Sequence, residues 1–323
     1  MVLDERDRLV AEVGLDLVVT GICTGRSGSI MDPSGLDLRG ALVRAKAKIP
    51  HGPSVESTVF VSICPADIVV ETTPLQPFTG AVGIAIIRSA LTANRSVASA
   101  NKGPVAHGLR ELRRLADQRG LQYRYESAVS DGLPIFSLVE RTLPCVSVTA
   151  MTGLLNSTSG VILDALSQGD NLSEAIRRAE VLGILEDDPR FDLDGWDSAV
   201  KLCALSASIW DAPIAIGDVE RVPITDAHET ESIAARARGH RLVSMASIRR
   251  DISPNGEVRA TVKIMEICPD SVFFPLVGTS LGLQFKSKLM QPVTISSFEP
   301  RLADTAYGLL ADVLHIGMAG HAQ

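Results

Sequence analysis

Three short apolar runs, each separated from the next by a stretch of helical pattern, constrain this chain more than any other feature. Residues 15–23, 67–72 and 95–100 each read as a strand too short and too uniformly apolar to have one wet face. Such runs suit parallel strands covered on both sides. Residues 80–91 and 104–118 read as helices, and the alternation is the rhythm of an α/β, doubly wound, Rossmann-like parallel sheet. After about residue 145 the pattern changes. Residues 155–168, 173–183 and 195–209 have helical spacing, residues 241–248, 258–267 and 291–295 read as parts of an antiparallel sheet, and residues 305–316 read as a final helix. The expected organisation is a dinucleotide-binding domain over residues 1–130, completed by the C-terminal helix of 299–323, and a second α+β domain of mixed sheet and helices over 131–298.

The length of 323 residues allows two domains with a substantial core, and 46% apolar with 21% charged residues excludes disorder as the main state. A net charge of −7 argues against a sequence-independent grip on nucleic acid, though a local basic pocket for a phosphate remains allowed. No run reaches about 18 apolar residues, and the first eight residues are acidic and mixed where a signal peptide would be basic and then apolar. A cytoplasmic protein without membrane association is expected. The five cysteines form no CxxC pair and the six histidines no HExxH or HxH, so no transition-metal motif is present.

The beginning of the chain is unusual. Val2, Leu3, Leu9, Val10 and Val13 have helical spacing that ends at Gly14, with no capping residue ahead of it. In a doubly wound fold, a helix feeding the strand at 15–23 follows the central first strand and a Gly-rich phosphate turn. Gly21, Gly25 and Gly28 do not match GxGxxG, and Gly80 with Gly83 lacks the leading GxG. Two readings stay open: a fold with an unusual N-terminal helix, or, as the favoured expectation, a strand and turn of roughly 15 to 20 residues upstream of Met1. Without them the neighbouring strands lack a ladder partner.

The most informative segment is 183–201. Six acids crowd positions 186 to 197, Pro189 and Gly195 make a turn-rich loop, and Trp196, Ala199, Val200 and Cys203 begin an apolar helix. On that helix Asp197 and Lys201 share a face at i,i+4. The spacing leaves two readings open. One is a solvated ion pair worth about 0.3–0.5 kcal/mol; the other is a lysine held among apolar neighbours, with the tunable pKa and fixed direction of a general acid or base.

Gly183, Glu186, Asp188, Pro189, Asp192, Gly195, Asp197 and Lys201 together resemble the G-x-x-E-x-D-P-x-x-D-x-x-G-x-D-x-x-x-K signature of homoserine dehydrogenases. Three other stretches agree in the same order: Ser99 to Pro104 with its Asn-Lys-Gly-Pro turn, Tyr125 to Val129 with Gly132 to Ile135, and Gly153 to Thr158. The resemblance runs from about residue 15 to 316. It implies reversible, NAD(P)-dependent reduction of aspartate 4-semialdehyde to homoserine, in threonine, methionine and isoleucine biosynthesis, by a homodimer. It also implies Lys201 as proton donor, Asp197 orienting it and Lys102 beside the cofactor and the reacting oxygen. Glu186, Asp192, Asn156 and Thr158 would bind substrate, and Thr73, Asn101, Lys102 and Gly183 the cofactor. A monovalent cation would be held by Glu126 and the carbonyls of Val129, Asp131 and Leu133.

The sequence also departs from the family. The Gly-rich loop is missing, the Gly-Ala-Gly turn before the last helix is replaced by Phe298 to Asp304, and no further 80 to 100 residues follow that could form a regulatory domain. At the end of the 15–23 strand an NAD enzyme places an acid for the ribose 2′-hydroxyl, whereas Arg26 stands nearby here and favours NADP. A catalytically impaired homologue with a structural or regulatory role, and a dehydrogenase of another small amino or hydroxy aldehyde, are the alternatives.

Overall fold

The computed structural model describes residues 1–185, 188–251 and 256–321. Its first strands, β1 (Gly21–Thr24) and β2 (Gly28–Met31), form an antiparallel hairpin. β3 (Ile68–Glu71), β4 (Ser96–Ser99) and β5 (Tyr123–Arg124) form a three-stranded parallel sheet in that order. β6 (Val148–Leu154), β7 (Glu220–Arg221), β8 (Arg241–Arg250), β9 (Val258–Ile267), β10 (Leu281–Ser287) and β11 (Val293–Ser297) form a mixed sheet of order β11-β10-β6-β8-β9-β7.

The expected run 15–23 is only partly a strand. Leu15 to Thr20 is extended but outside any ladder; the Val19 and Thr20 carbonyls instead accept from the Leu36 and Asp32 amides, at 2.8 and 2.9 Å. Those bonds fold the chain back on itself, so β1 pairs with β2 and not with the parallel sheet. Gly21 is required there: a Cβ would come 2.5 Å from Cys64 Sγ and 2.8 Å from Phe60 Cζ.

The parallel sheet is sandwiched. Helices Ala81–Thr92 and Lys102–Gln118 pack against each other, and the C-terminal helix Leu302–His321 packs on β3 and β4. Ile87, Leu91, Val97 and Leu112 are completely inaccessible and tie these layers together. At about 25 cal/mol per Å² of apolar surface, each such side chain contributes about 1.5–3 kcal/mol. Gly80 sits at φ +60 with its Cα against Gly103, where a Cβ would meet the Gly103 carbonyl carbon at 2.6 Å, so the two helix starts touch backbone to backbone.

The mixed sheet carries helices Ser157–Ser167, Trp196–Trp210 and Ala227–Ala237 against β8. The Trp196–Trp210 helix also packs on Lys102–Gln118. It therefore sits in the one core that spans both sheets, and every residue from Asp197 to Val200 and from Leu202 to Ala207 on it is buried. That shared helix brings the C-terminal ends of β3 and β4 beside the residues expected to do chemistry.

Candidate active site

Asp197 is the centre of the site. It lies in the first turn of the Trp196–Trp210 helix, after Gly195 in a left-handed conformation (φ +73), and is 4% exposed. One carboxylate oxygen lies 3.0 Å from Lys102 Nζ and the other 3.0 Å from Lys201 Nζ. The Asn156 amide donates to the second oxygen at 2.9 Å. Burial would raise the carboxyl pKa, but the two ammonium groups and the Asn156 bond outweigh it and hold the group ionised, well below the usual carboxylate range.

Lys201 is 12% exposed and also donates to the Leu155 carbonyl at 2.5 Å. Two fixed acceptors aim its Nζ, and the apolar flanks Ala199, Val200 and Leu202 shield the stem. Lys102 reaches the same carboxylate from the first residue of helix Lys102–Gln118, at the end of β4. Residues 95 apart in sequence thus converge where doubly wound folds place ligands.

Several expected binding residues turn out to be committed to the protein. Asn156 caps helix Ser157–Ser167 by accepting from the Ser159 amide at 2.6 Å, and its NH₂ donates to Asp192 at 2.7 Å and to Asp197. Its amide therefore orients the two acids. Asp192 is buried at the end of a short turn of helix, Arg190–Leu193. Thr158 donates to the Ile184 carbonyl at 2.9 Å and anchors the strand of chain leading to residue 186. Glu186 lies outside the described residues. Gly183 ends helix Leu172–Val181 at φ +69 with open space around its Cα.

At the strand ends, Asn101 caps helix Lys102–Gln118 through the Gly103 amide at 3.0 Å. Its NH₂ reaches the Thr73 carbonyl at 3.2 Å and Glu71 at 3.3 Å. Thr73 donates to Glu71 from both its amide, at 2.8 Å, and its hydroxyl. Glu71, 2% exposed, also accepts from Ser99 at 2.7 Å. Glu71 lies inside the expected strand of 67–72 and ends the observed one; an acid after three apolar residues is the signal for it. It ties β3, β4 and the start of the Lys102 helix into one unit.

At the ends of the parallel strands, where a doubly wound fold takes the nicotinamide end of a dinucleotide, Lys102 reaches Asp197 while Thr73 and Asn101 tie β3 to the start of the Lys102 helix. Arg26 is elsewhere, exposed in the β1–β2 turn. Because β1 is antiparallel to β2, the strand-end argument for Arg26 as a 2′-phosphate ligand no longer applies.

Glu126 and its neighbours, expected to hold a cation, also make hydrogen bonds within the protein. Its Oε1 accepts from the Phe136 amide at 2.7 Å, and its Oε2 accepts from the Ser137 amide at 2.9 Å and from the Ser137 hydroxyl. Asp131, in a left-handed conformation (φ +51), accepts from Thr305 at 2.8 Å. The Leu133 carbonyl accepts from Ile135 at 2.8 Å, and Val129 is buried. Among the described residues no group of three metal-binding side chains occurs. Glu126 serves as the acceptor that fixes the turn at 135–137.

Comparison with known proteins agrees with this arrangement. The family model described as homoserine dehydrogenase matches residues 134–314. The NAD(+)-dependent homoserine dehydrogenase of Pseudomonas canavaninivorans is 29% identical over 324 residues, covering 98% of this chain and 91% of that one. Two solved structures share the fold. A putative homoserine dehydrogenase from Archaeoglobus fulgidus has TM-score 0.84 and 22% identity, with 98% and 93% coverage. A hyperthermophilic archaeal homoserine dehydrogenase in complex with NADPH has TM-score 0.79 and 23% identity, with 97% and 93% coverage. With more than half its length matched by that model and the signature's Asp197 and Lys201 paired in a buried site, the chain belongs to the homoserine dehydrogenase family of oxidoreductases.

Proposed function

We propose that the chain catalyses the reversible interconversion of L-homoserine and aspartate 4-semialdehyde, with Lys201 moving the proton. The observation that carries this reading is the buried Lys102–Asp197–Lys201 arrangement, with both Nζ atoms 3.0 Å from the shared carboxylate. Bound NAD or NADP supplies or removes the hydride. In reduction, negative charge grows on the aldehyde oxygen, and Lys201 donates a proton to it while Lys102 lies near enough to stabilise the charge. In oxidation, neutral Lys201 takes the hydroxyl proton. Asp197 keeps both ammonium groups in place and Asn156 keeps Asp197 in place. Glu186 would bind the substrate ammonium, and Asp192, oriented by Asn156, would bind the substrate as well. Thr73, Asn101 and Lys102 would border the cofactor, with Gly183 freeing the chain to enter the acidic loop.

Residues 1–130 with the C-terminal helix would form the dinucleotide half, and a homodimer would assemble through the mixed sheet. The name of the Pseudomonas relative favours NAD, and Arg26, in the β1–β2 turn and not at the end of a parallel strand, no longer weighs for NADP. The reaction is tested by following homoserine-dependent reduction of NAD and of NADP separately. Turnover with either supports the reading. Turnover with neither, from folded protein, points to the catalytically impaired homologue; turnover only with another amino or hydroxy aldehyde points to a changed substrate.

A further inference from the structure

Arg221 is distant in sequence from every residue of the proton relay, yet it grips the turn from which the relay starts. It ends the short edge strand β7, which pairs in parallel with β9. Its guanidinium lies 3.2 Å from the centroid of the Trp196 ring and donates to the Asp194 carbonyl at 3.1 Å. Trp196 is the first residue of the relay helix and Asp194 the last residue before Gly195. One guanidinium therefore holds both sides of the left-handed glycine that sets the direction of the helix, and the next residue is Asp197. Gly195 has little room to move: a Cβ there would meet Val262 Cγ1 at 3.1 Å and Arg221 Cγ at 3.8 Å.

The Trp196 ring is also touched from the other half of the molecule. Phe78, in the loop after β3, meets it edge-on at 5.1 Å between centroids and 73° between planes. A planar cation stacked on the indole and an aromatic pair made by the same ring both favour one orientation of Trp196. Asp197 has no slack for a tilt of the helix start, because its two oxygens are each 3.0 Å from a lysine.

We propose that Arg221 is a positioning residue: by stacking on Trp196 and holding Asp194, it sets the direction of the Asp197 carboxylate and through it the aim of Lys201. Phe78 packs on the same ring through an edge contact. The proposal rests on the reading of Lys201 as proton carrier, and the test separates the two.

The test is a double-mutant cycle on the full chain, with steady-state homoserine oxidation and thermal unfolding measured for each variant. Arg221→Ala is expected to lower kcat about tenfold while the homoserine KM stays within about twofold, and to have no further effect on kcat in a Lys201→Ala background. Arg221→Lys, which keeps the charge but loses the planar stack, is expected to behave like Arg221→Ala. Trp196→Phe, which keeps a ring, is expected to lose less than Trp196→Ala. An Arg221→Ala loss that multiplies fully with that of Lys201→Ala overturns the positioning role and leaves the relay standing. A rise in homoserine KM alone makes Arg221 a substrate ligand, and an unchanged kcat with a lowered unfolding temperature makes it structural; both overturn the proposal. If Lys201→Ala itself keeps full kcat, the relay reading fails and the positioning role fails with it.

Discussion

Replacing Asp197 by Asn removes one charge and almost no volume, and the geometry says how much should change. Each Nζ is 3.0 Å from an Asp197 oxygen, and at an effective dielectric constant near 20 a pair at that distance attracts by about 5–6 kcal/mol before desolvation is subtracted. Desolvation is large, since Asp197 is 4% exposed, yet the lysines still hold the carboxyl ionised far below its ordinary range. In Asp197→Asn the attraction is gone and two buried ammonium groups face each other across a neutral amide. Their mutual repulsion pushes them apart, and the Lys201 aim loosens. The expected loss is about 10²- to 10³-fold in kcat, equivalent to about 2.7–4 kcal/mol of transition-state stabilisation. Breaking a buried pair also costs about 3–5 kcal/mol of fold stability, so rates are to be taken well below the measured unfolding temperature. The assay is cofactor absorbance in both directions across the pH range, beside thermal unfolding. A folded Asp197→Asn protein with kcat within threefold of the wild type refutes the electrostatic argument.

Three further outcomes are expected. Glu71→Ala removes both acceptor oxygens used by Thr73, Ser99 and Asn101, and should raise the cofactor KM several-fold with a stability loss of about 1–3 kcal/mol, read by cofactor titration and denaturant unfolding. Asp312, buried beside Glu126 on the C-terminal helix, has its pKa pushed up to about 6, chiefly by burial and despite the Arg124 guanidinium at 3.1 Å. A carboxyl raised in the fold favours the native state at low pH and loses that contribution as pH rises through about 6, so the wild type should gain about 1 kcal/mol on going from pH 8 to pH 5. Asp312→Asn should flatten that increment in chemical denaturation, and an identical pH response in both proteins would count against it. Gly80→Ala, with φ +60 and a Cβ 2.6 Å from the Gly103 carbonyl carbon, should cost more than 1 kcal/mol, seen as a lower unfolding temperature.

The parts of the site that could be read from sequence are those set by local spacing. Asp197 and Lys201 are one helical turn apart, so periodicity alone puts them on one face, and the buried company of Ala199, Val200 and Leu202 separates this pair from a surface one. Asn101 and Asn156 each precede a helix, which makes them caps; sequence could not show that the Asn156 amide also bridges Asp192 and Asp197. Lys102 meeting Asp197 depends on two helices packing side by side, and no local pattern encodes it. β6 and β10 escaped the sequence reading because Thr, Gly and Gln interrupt their alternation, although both lie inside the mixed sheet. Residues 15–23 misled for the opposite reason. Their apolar content suits a parallel strand, but Leu36 and Asp32 capture the Val19 and Thr20 carbonyls and turn the chain into a hairpin.

The claim on which the account turns is that the Lys201 Nζ is the group that gives and takes the proton. Single-turnover oxidation of homoserine by folded Lys201→Ala, at saturating cofactor, measures it most directly. The account predicts a hydride-transfer rate at least about 10²-fold below wild type, partly restored by a small primary amine added to the buffer. A rate within a few-fold of wild type, indifferent to added amine, would contradict it.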